Sequence, residues 1–198
     1  MKFSTLLHSP ADWTAETGPH GDIVVTSRIR LARNVEGVAF PGWAKKPVRS
    51  DLLEQIRPKI ESLPEMENAF SEELKDLTAI QKQVLVERHL ISREHAAKSA
   101  GSASIMNRPQ TISIMINEED HLRMQAILPG LQLGKAYEML NNVDTNLENQ
   151  ISFAFDKRWG YLTACPTNLG TGMRASAMLH LPALVLSESI NQVIQAVN

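Results

Sequence analysis

Three short stretches of this chain concentrate residues able to handle a phosphate and a cation together. Thr26-Ser27-Arg28-Ile29-Arg30 carries two arginines, and Asn117-Glu118-Glu119-Asp120-His121-Leu122-Arg123 carries an acidic run, a histidine and a third arginine. Cys165-Pro166-Thr167-Asn168-Leu169-Gly170-Thr171-Gly172-Met173-Arg174 adds a fourth arginine and the only cysteine. Guanidinium forks make bidentate, charge-assisted hydrogen bonds to phosphate oxygens. A carboxylate can orient a nucleophile and accept its proton, and a thiolate is stabilised beside a cation. The inventory reads as phosphoryl transfer to a cationic acceptor.

Taken singly, each stretch also has a plainer reading. Arg28 and Arg30 are two apart on a predicted strand and so leave one face, but with Arg33 they could equally be a solvated edge. If residues 117–123 continue a strand, Glu119, His121 and Arg123 share a face and Glu118 and Asp120 take the other; the alternative is a polar turn. Asn168 to Arg174 reads as a glycine-rich turn opening a helix, Met173 to Leu181, whose free N–H groups would attract phosphate. A lone cysteine is ordinarily a small buried hydrophobe. Gly130 to Ala136 falls one residue short of a Walker loop and lacks its Ser/Thr, and the His-Glu-x-x-His order of a metalloprotease helix is missing.

The elements that must position these residues follow from periodicity. A β-branched run from Asp22 enters the first motif as a strand. Residues 34–47 read as a loop, and Ser50 caps a helix from Asp51 to Leu63 with Leu52, Leu53, Ile56, Ile60 and Leu63 on one stripe, ended by Pro64. Residues 84–91 fit a strand or a short helix, and 98–108 a loop. Thr111 to Ile116 is a strand that delivers the acidic motif. Gly134 to Phe155 is helical by pattern, Tyr161 to Ala164 a strand, and a last amphipathic helix starts at Leu186. Strands and helices mix without a βαβ rhythm, which favours α+β over a doubly wound fold.

Bulk properties narrow the field. The 198 residues suit one domain, with 43% hydrophobic and 21% charged residues typical of a soluble globular protein. A net charge of −2 makes no case for nucleic acid as the main partner. One cysteine excludes an internal disulfide and fits a reducing cytoplasm. The sequence has no apolar run of signal-peptide length at its N-terminus and none of about 18 residues that would span a membrane.

In their order and separation, Ser27-Arg-Ile-Arg30, Asn117 to Arg123 and Gly160 to Arg174 resemble the phosphagen (guanidino) kinase family, over residues 20–198. Within it, the short lead before the first motif and His180-Leu-Pro-Ala-Leu-Val-Leu resemble the bacterial branch that phosphorylates arginine in proteins. The resemblance implies an antiparallel sheet flanked by helices, with the whole of 1–198 as one catalytic domain. It implies that Arg28, Arg30, Arg123 and Arg174 hold ATP phosphates, with Thr26, Ser27, Ile29, His89, Ala175, Ser176, Ala177 and Met178 completing the ATP site. Glu119 would grip and deprotonate the guanidinium beside Cys165, and Mg²⁺ would arrive with ATP without protein ligands of its own. Expected partners are proteins with exposed arginine, a zinc-binding activator protein, a stress-gene repressor and protease-unfoldase machinery. The chain ends before the family's Arg-Gly-x-x-Gly-Glu loop, so an impaired nucleotide- or partner-binding fragment is the alternative, and transfer to free arginine a third reading. Val193, Ile194 and Val197 are expected to leave apolar surface exposed.

Overall fold

The computed structural model describes residues 1–8, 10–15 and 17–197. Helices α1 (Phe3–His8) and α2 (Asp12–Ala15) precede β1 (Val24–Arg33), α3 (Lys46–Glu61) and β2 (Phe70–Glu73). Then come α4 (Ala79–Glu87), α5 (Arg93–Ala96), β3 (Ala103–Met106), β4 (Ile112–Ile116), β5 (Leu122–Pro129) and α6 (Leu133–Glu148). A small hairpin, β6 (Phe155–Asp156) with β7 (Gly160–Tyr161), leads to β8 (Met173–Leu179), α7 (Pro182–Leu186) and α8 (Ile190–Val197). Six strands form one antiparallel sheet in the order β2-β3-β4-β5-β1-β8, which bears out an α+β fold built on an antiparallel sheet.

Alternation along the strands separates two faces. Ile29 and Leu31, Met124, Ala126 and Leu128, and Ile112, Ile114 and Ile116 pack on one face against Leu52, Leu53, Ile56 and Ile60 of α3 and Leu140, Val143 and Leu147 of α6. These helical residues recur at three- and four-residue spacing, so each helix buries a single stripe. The opposite face is divided. At the β2 end, Phe70, Met106 and Met115 lie under Leu6, Leu85, Leu90 and Ile91. Towards β8 the same face carries arginines, and only its Ile127 corner is covered, by Trp13 of the short helix α2 and Ala11 just before it.

Several expectations need correction. Where a helix is expected from Met173 to Leu181, Met173–Leu179 is a strand paired along β1. Its Ala, Met and Leu residues favour helix, but the hydrogen bonds offered by the free edge of β1 override that weak preference. The first long helix begins at Lys46 rather than Asp51, because Pro47 in its first turn carries a φ already set for helix. The expected loop 98–108 contains β3, which is buried between β2 and β4. Residues 84–91 are the end of α4 and its C-terminal turn; α4 starts at a Thr78/Gln81 capping box. The helix expected from Gly134 to Phe155 stops at Glu148, the Tyr161 to Ala164 strand shrinks to β7, and the last helix starts at Ile190 rather than at Leu186, which ends α7. As expected, Val193, Ile194 and Val197 are exposed, together with Val185 and Leu186. No helix of the described residues is long and apolar enough to cross a membrane.

Candidate active site

Register places all four arginines on one face. Arg30 stands opposite Arg174 on β8 and Gln125 on β5, while Ala32 stands opposite Arg123. Directly opposed residues of antiparallel strands point the same way, so Arg28, Arg30, Arg123 and Arg174 form one cationic surface. Only Arg123 has an acidic partner among the described residues, Glu118. The Nε of Arg28 donates to Ser176 Oγ at 3.4 Å, and the Nε of Arg30 is buried with no hydrogen-bond partner. Burial, then repulsion from Arg123 and Arg174, holds Arg28 below the usual guanidinium range. Burial, with Arg28, Arg123 and Arg174 as neighbours, takes Arg30 down to about 10. A surface that strains against its own charge is matched by a polyanion.

The cationic surface runs into a cavity of about 260 Å³ lined by Trp13, Thr26, Arg28, His89, Ile127 and Ser176, with Ala177 and Met178 on its β8 side. His89 follows α4 in the left-handed conformation, φ +56°, at the position that usually belongs to glycine. The bonds Leu90 N–H to Leu85 C=O, 2.9 Å, and His89 N–H to Val86 C=O, 2.9 Å, hold it there. Gln125 Nε2 also donates to the His89 carbonyl at 2.6 Å. Non-glycine residues kept in this region of backbone space cluster at functional sites. The Trp13 ring lies 5.6 Å from the His89 ring, so the short helix α2 walls the end of the cavity away from Glu119.

The acidic motif is a turn. Asn117 adopts φ +57° and breaks the strand after Ile116; its Nδ2 donates to the carbonyls of Arg49 and Gly101, at 3.0 and 2.8 Å. The parity expected for Glu119, His121 and Arg123 therefore does not hold. Glu118 is buried and accepts from Arg123 and Ser92 Oγ, both at 2.6 Å; burial pushes its carboxyl up, and Arg123, Ser92 and the Glu119 N–H outweigh that to hold it below the usual range. Glu119 is exposed at the tip with no cationic partner among the described residues. Desolvation, then Asp120 and Glu118, push its carboxyl up. A carboxylate displaced upward is a better proton acceptor than a free one.

The residues after Glu119 tie the turn to the rest of the site. Asp120 is buried and accepts from Asn34 Nδ2 and from the Ala164 N–H, both at 2.6 Å, which locks the turn to the segment bearing Cys165. His121 accepts the Val35 N–H on Nδ1 at 3.0 Å, so its Nε2–H donates to Ala39 C=O at 3.0 Å. Cys165 is half-buried, with Sγ 3.0 Å from Thr167 Oγ1. Arg30, Glu118, Glu119, Arg123, Cys165 and Arg174 line one cavity of about 110 Å³.

Arg33 departs from the solvated-edge reading. It is buried on the helix-bearing face, paired through two nitrogens with Asp144 at 2.6 and 3.0 Å, and lies 3.6 Å over the Tyr161 ring. The third guanidinium nitrogen, Nη1, donates to the Thr171 carbonyl at 3.0 Å and so anchors the approach to Arg174. At the next residue, Gly172 (φ +63°), a Cβ would fall 2.5 Å from the same guanidinium, which leaves room only for glycine. The expected helix N-terminus is therefore absent here: Pro166–Asn168 is a single 3₁₀ turn, and the glycines lead into β8. Cationic character on this side comes from Arg174 rather than from a helix dipole.

The structure thus brings Arg28, Arg30, Arg123, Arg174, Glu119 and Cys165 together, with Thr26, His89, Ser176 and Met178 extending the surface. Ser27 and Ile29 point to the other face: Ile29 joins the core, and Ser27 Oγ bridges Gly130 C=O and Gln132 N–H at 2.7 and 2.9 Å. Ala175, opposite Ile29, lies on that face too. Sequence reasoning missed Trp13, Ser92, Asn34 and Gln125. Only Trp13, a large aromatic in a polar N-terminal segment, carried a signal that could have drawn attention. No group of three or more His, Cys, Asp or Glu among the described residues is placed to hold a metal ion.

Residues 51–198 match the family described as ATP:guanido phosphotransferase, C-terminal catalytic domain, and the chain belongs to that family. It is 45% identical over 186 residues to a protein-arginine kinase of Halothermothrix orenii, covering 94% of this chain and 53% of that protein. It is 46% identical over 188 residues to the protein-arginine kinase of Geobacillus stearothermophilus, covering 94% and 52%. The chain thus spans about half the length of the curated relatives it matches. Among solved structures, the duplicated taurocyamine kinase of Schistosoma mansoni with bound transition-state-analogue components superposes at a TM-score of 0.80 with 26% identity, over 91% of this chain and 27% of that one. A lombricine kinase gives 0.71 with 25% identity, over 89% and 54%.

Proposed function

We propose that residues 1–198 form a catalytic domain that moves the γ-phosphoryl group of ATP to a guanidinium nitrogen of arginine in a protein. The observation that carries this reading is one cavity walled by three cationic arginines, an ion-paired glutamate, an exposed unpaired glutamate and a cysteine. Arg28, Arg30, Arg123 and Arg174 would bind the phosphates and spread the charge that builds on the transferring group. Arg30, with its buried and unsatisfied Nε, gains most from that anion. Glu119 would hold the guanidinium and take its proton as the nitrogen–phosphorus bond forms and the bond to the leaving ADP oxygen breaks. Cys165 would face the cationic acceptor, whose charge favours the thiolate. Trp13 and His89 would take the base end of the nucleotide. Mg²⁺ arriving with ATP would supply charge neutralisation at the phosphate oxygens.

The protein acceptor rests on the names of the curated relatives and on the sequence resemblance. The same resemblance carries the bacterial cytoplasmic setting, the link to stress response, and the zinc-binding activator, repressor and protease-unfoldase partners. The test is incubation with Mg·ATP and an unfolded, arginine-rich protein, followed by mass spectrometry for phosphoarginine under non-acidic conditions. Product from the wild type that vanishes in Glu119→Gln, with ATP affinity retained, supports transfer. Nucleotide binding without product on any arginine would replace it with a binding role.

A further inference from the structure

Glu119 also borders a third cavity, of about 670 Å³, whose walls include Phe40, Trp43, Glu94, Lys98 and Ala164. Trp43 stands at its edge with 90% of its surface exposed. A single exposed apolar residue is ordinary. This one is unusual because the chain on either side of it is pinned. The N–H groups of Trp43 and Ala44 both donate to Phe40 C=O at 2.9 Å, and Arg49 reaches the Pro41 and Ala44 carbonyls at 3.3 and 3.4 Å. Pro41 and Ala44 are buried. Phe40 meets the His121 ring edge-on at 6.1 Å, and His121 Nε2–H holds Ala39 C=O, so the turn is fastened to the acidic motif itself. Trp43 is the outward-facing tip of a rigid turn joined to Glu119.

The charges of this cavity are also arranged. Arg123 is neutralised by Glu118, whereas Glu94 and Glu119 have no ionic partner among the described residues. Two free carboxylates face one lysine, Lys98. An indole face binds a guanidinium or ammonium by cation–π attraction, and a carboxylate near the same cation adds a charge-assisted hydrogen bond. An aromatic side chain with two rotatable bonds, carried on a turn whose backbone is already held, loses little entropy on binding.

We propose that Trp43 and Glu94 form a docking subsite for a second basic side chain of the acceptor, so that the preferred occupant is an unfolded polypeptide segment with two basic residues close together. Glu119 receives the arginine to be modified, and Trp43 with Glu94 receives its neighbour. This rests on the proposed protein-directed transfer and adds the acceptor's local sequence to it.

The test uses fluorescence anisotropy of two labelled, unstructured peptides, one carrying a single arginine and one with a lysine two residues away. Each is titrated with the wild type, Trp43→Ala and Glu94→Gln, beside phosphoarginine yield on both. Wild type should bind the dibasic peptide about tenfold more tightly, and each variant should remove that advantage while leaving the single-arginine peptide and ATP affinity unchanged. Trp43 is solvent-exposed, so its removal leaves the fold intact, and Glu94→Gln provides the same reading without touching the aromatic. Equal affinity for the two peptides in wild type, or an advantage that survives both variants, overturns the subsite while normal transfer leaves the enzyme reading standing. Failure to modify any arginine, with peptide binding intact, would remove the transferase reading alone.

Discussion

Glu118→Gln tests whether the buried carboxylate, rather than packing alone, sets the position of Arg123 and the acidic turn. Glu118 Oε1 accepts from Arg123 and from Ser92, each at 2.6 Å, and Oε2 accepts the Glu119 N–H at 3.1 Å. Glutamine keeps one acceptor and turns the other into a donor. If its oxygen stays on Arg123 and Ser92, the new NH₂ faces the Glu119 N–H; if the amide flips, NH₂ faces the guanidinium. Either way one side is lost. The Ser92 bond becomes neutral, the Arg123 bond keeps charge on its donor alone and loses its ion pair, and one further bond disappears, a loss of about 3 kcal/mol. The Arg123 side chain is 22% exposed and recovers some hydration, which brings the figure to about 2–3 kcal/mol. For a chain of this size that lowers Tm by about 4–12 °C.

The pH dependence supplies the sign. Glu118 is held below the usual carboxylate range, so its contribution is present above the unfolded value and is lost as pH falls through the folded one. The gap in Tm between wild type and Glu118→Gln should therefore be full at pH 7 and close on acidification. Differential scanning fluorimetry from pH 7 to pH 3.5 measures it, with saturating ATP as a second condition. A polyphosphate gives Arg123 a replacement counter-charge, so the ATP-induced rise in Tm should be larger in the variant than in wild type. A variant that melts with wild type at every pH would refute the claim that this ion pair holds the turn.

Two further outcomes follow from the same geometry. Arg30→Met removes a guanidinium held down to about 10 by burial and by its arginine neighbours, so the unliganded protein should melt no lower than wild type at pH 7. ATP affinity should nevertheless fall by roughly 30- to 150-fold, the loss of about 2–3 kcal/mol of charged hydrogen bonding, read by isothermal titration calorimetry; retained affinity would show that the phosphates bind elsewhere. Asp120→Ala removes the acceptor shared by Asn34 Nδ2 and the Ala164 N–H, so the Cys165 segment should loosen. Iodoacetamide should then label Cys165 several-fold faster, with a stability loss of about 2–3 kcal/mol; an unchanged labelling rate would mean that Asp120 does not position that segment.

Local chemistry was readable from the chain. The two-residue spacing of Arg28 and Arg30 announces a shared face because strand periodicity is two. The carboxylates, the cysteine and the fourth arginine announce themselves by type and order. The positions of the long helices followed from their apolar stripes, although their ends shifted where Pro47 and Asn149 set the boundary. Glu119 was identifiable as a candidate, but its exposure was not: the left-handed Asn117 turns a continuing strand into a tip, and a single dihedral of that kind leaves little trace in periodicity.

What joined the candidates was long-range pairing. Nothing near Arg174 in the chain indicates that it stands opposite Arg30, 144 residues earlier; that depends on β8 adding to the edge of β1 against its own helical preference. Arg33 looked like its neighbours until the opposite face supplied Asp144 and Tyr161. Trp13 and Trp43 came to border the site's cavities only when α2 packed beside β5 and the turn after β1 was fastened to His121. The sequence by itself determined which groups could do the chemistry, since residue type and strand or helix period are local properties. Only the tertiary structure decided which groups meet, because register, face and exposure are set by contacts between segments far apart in the chain.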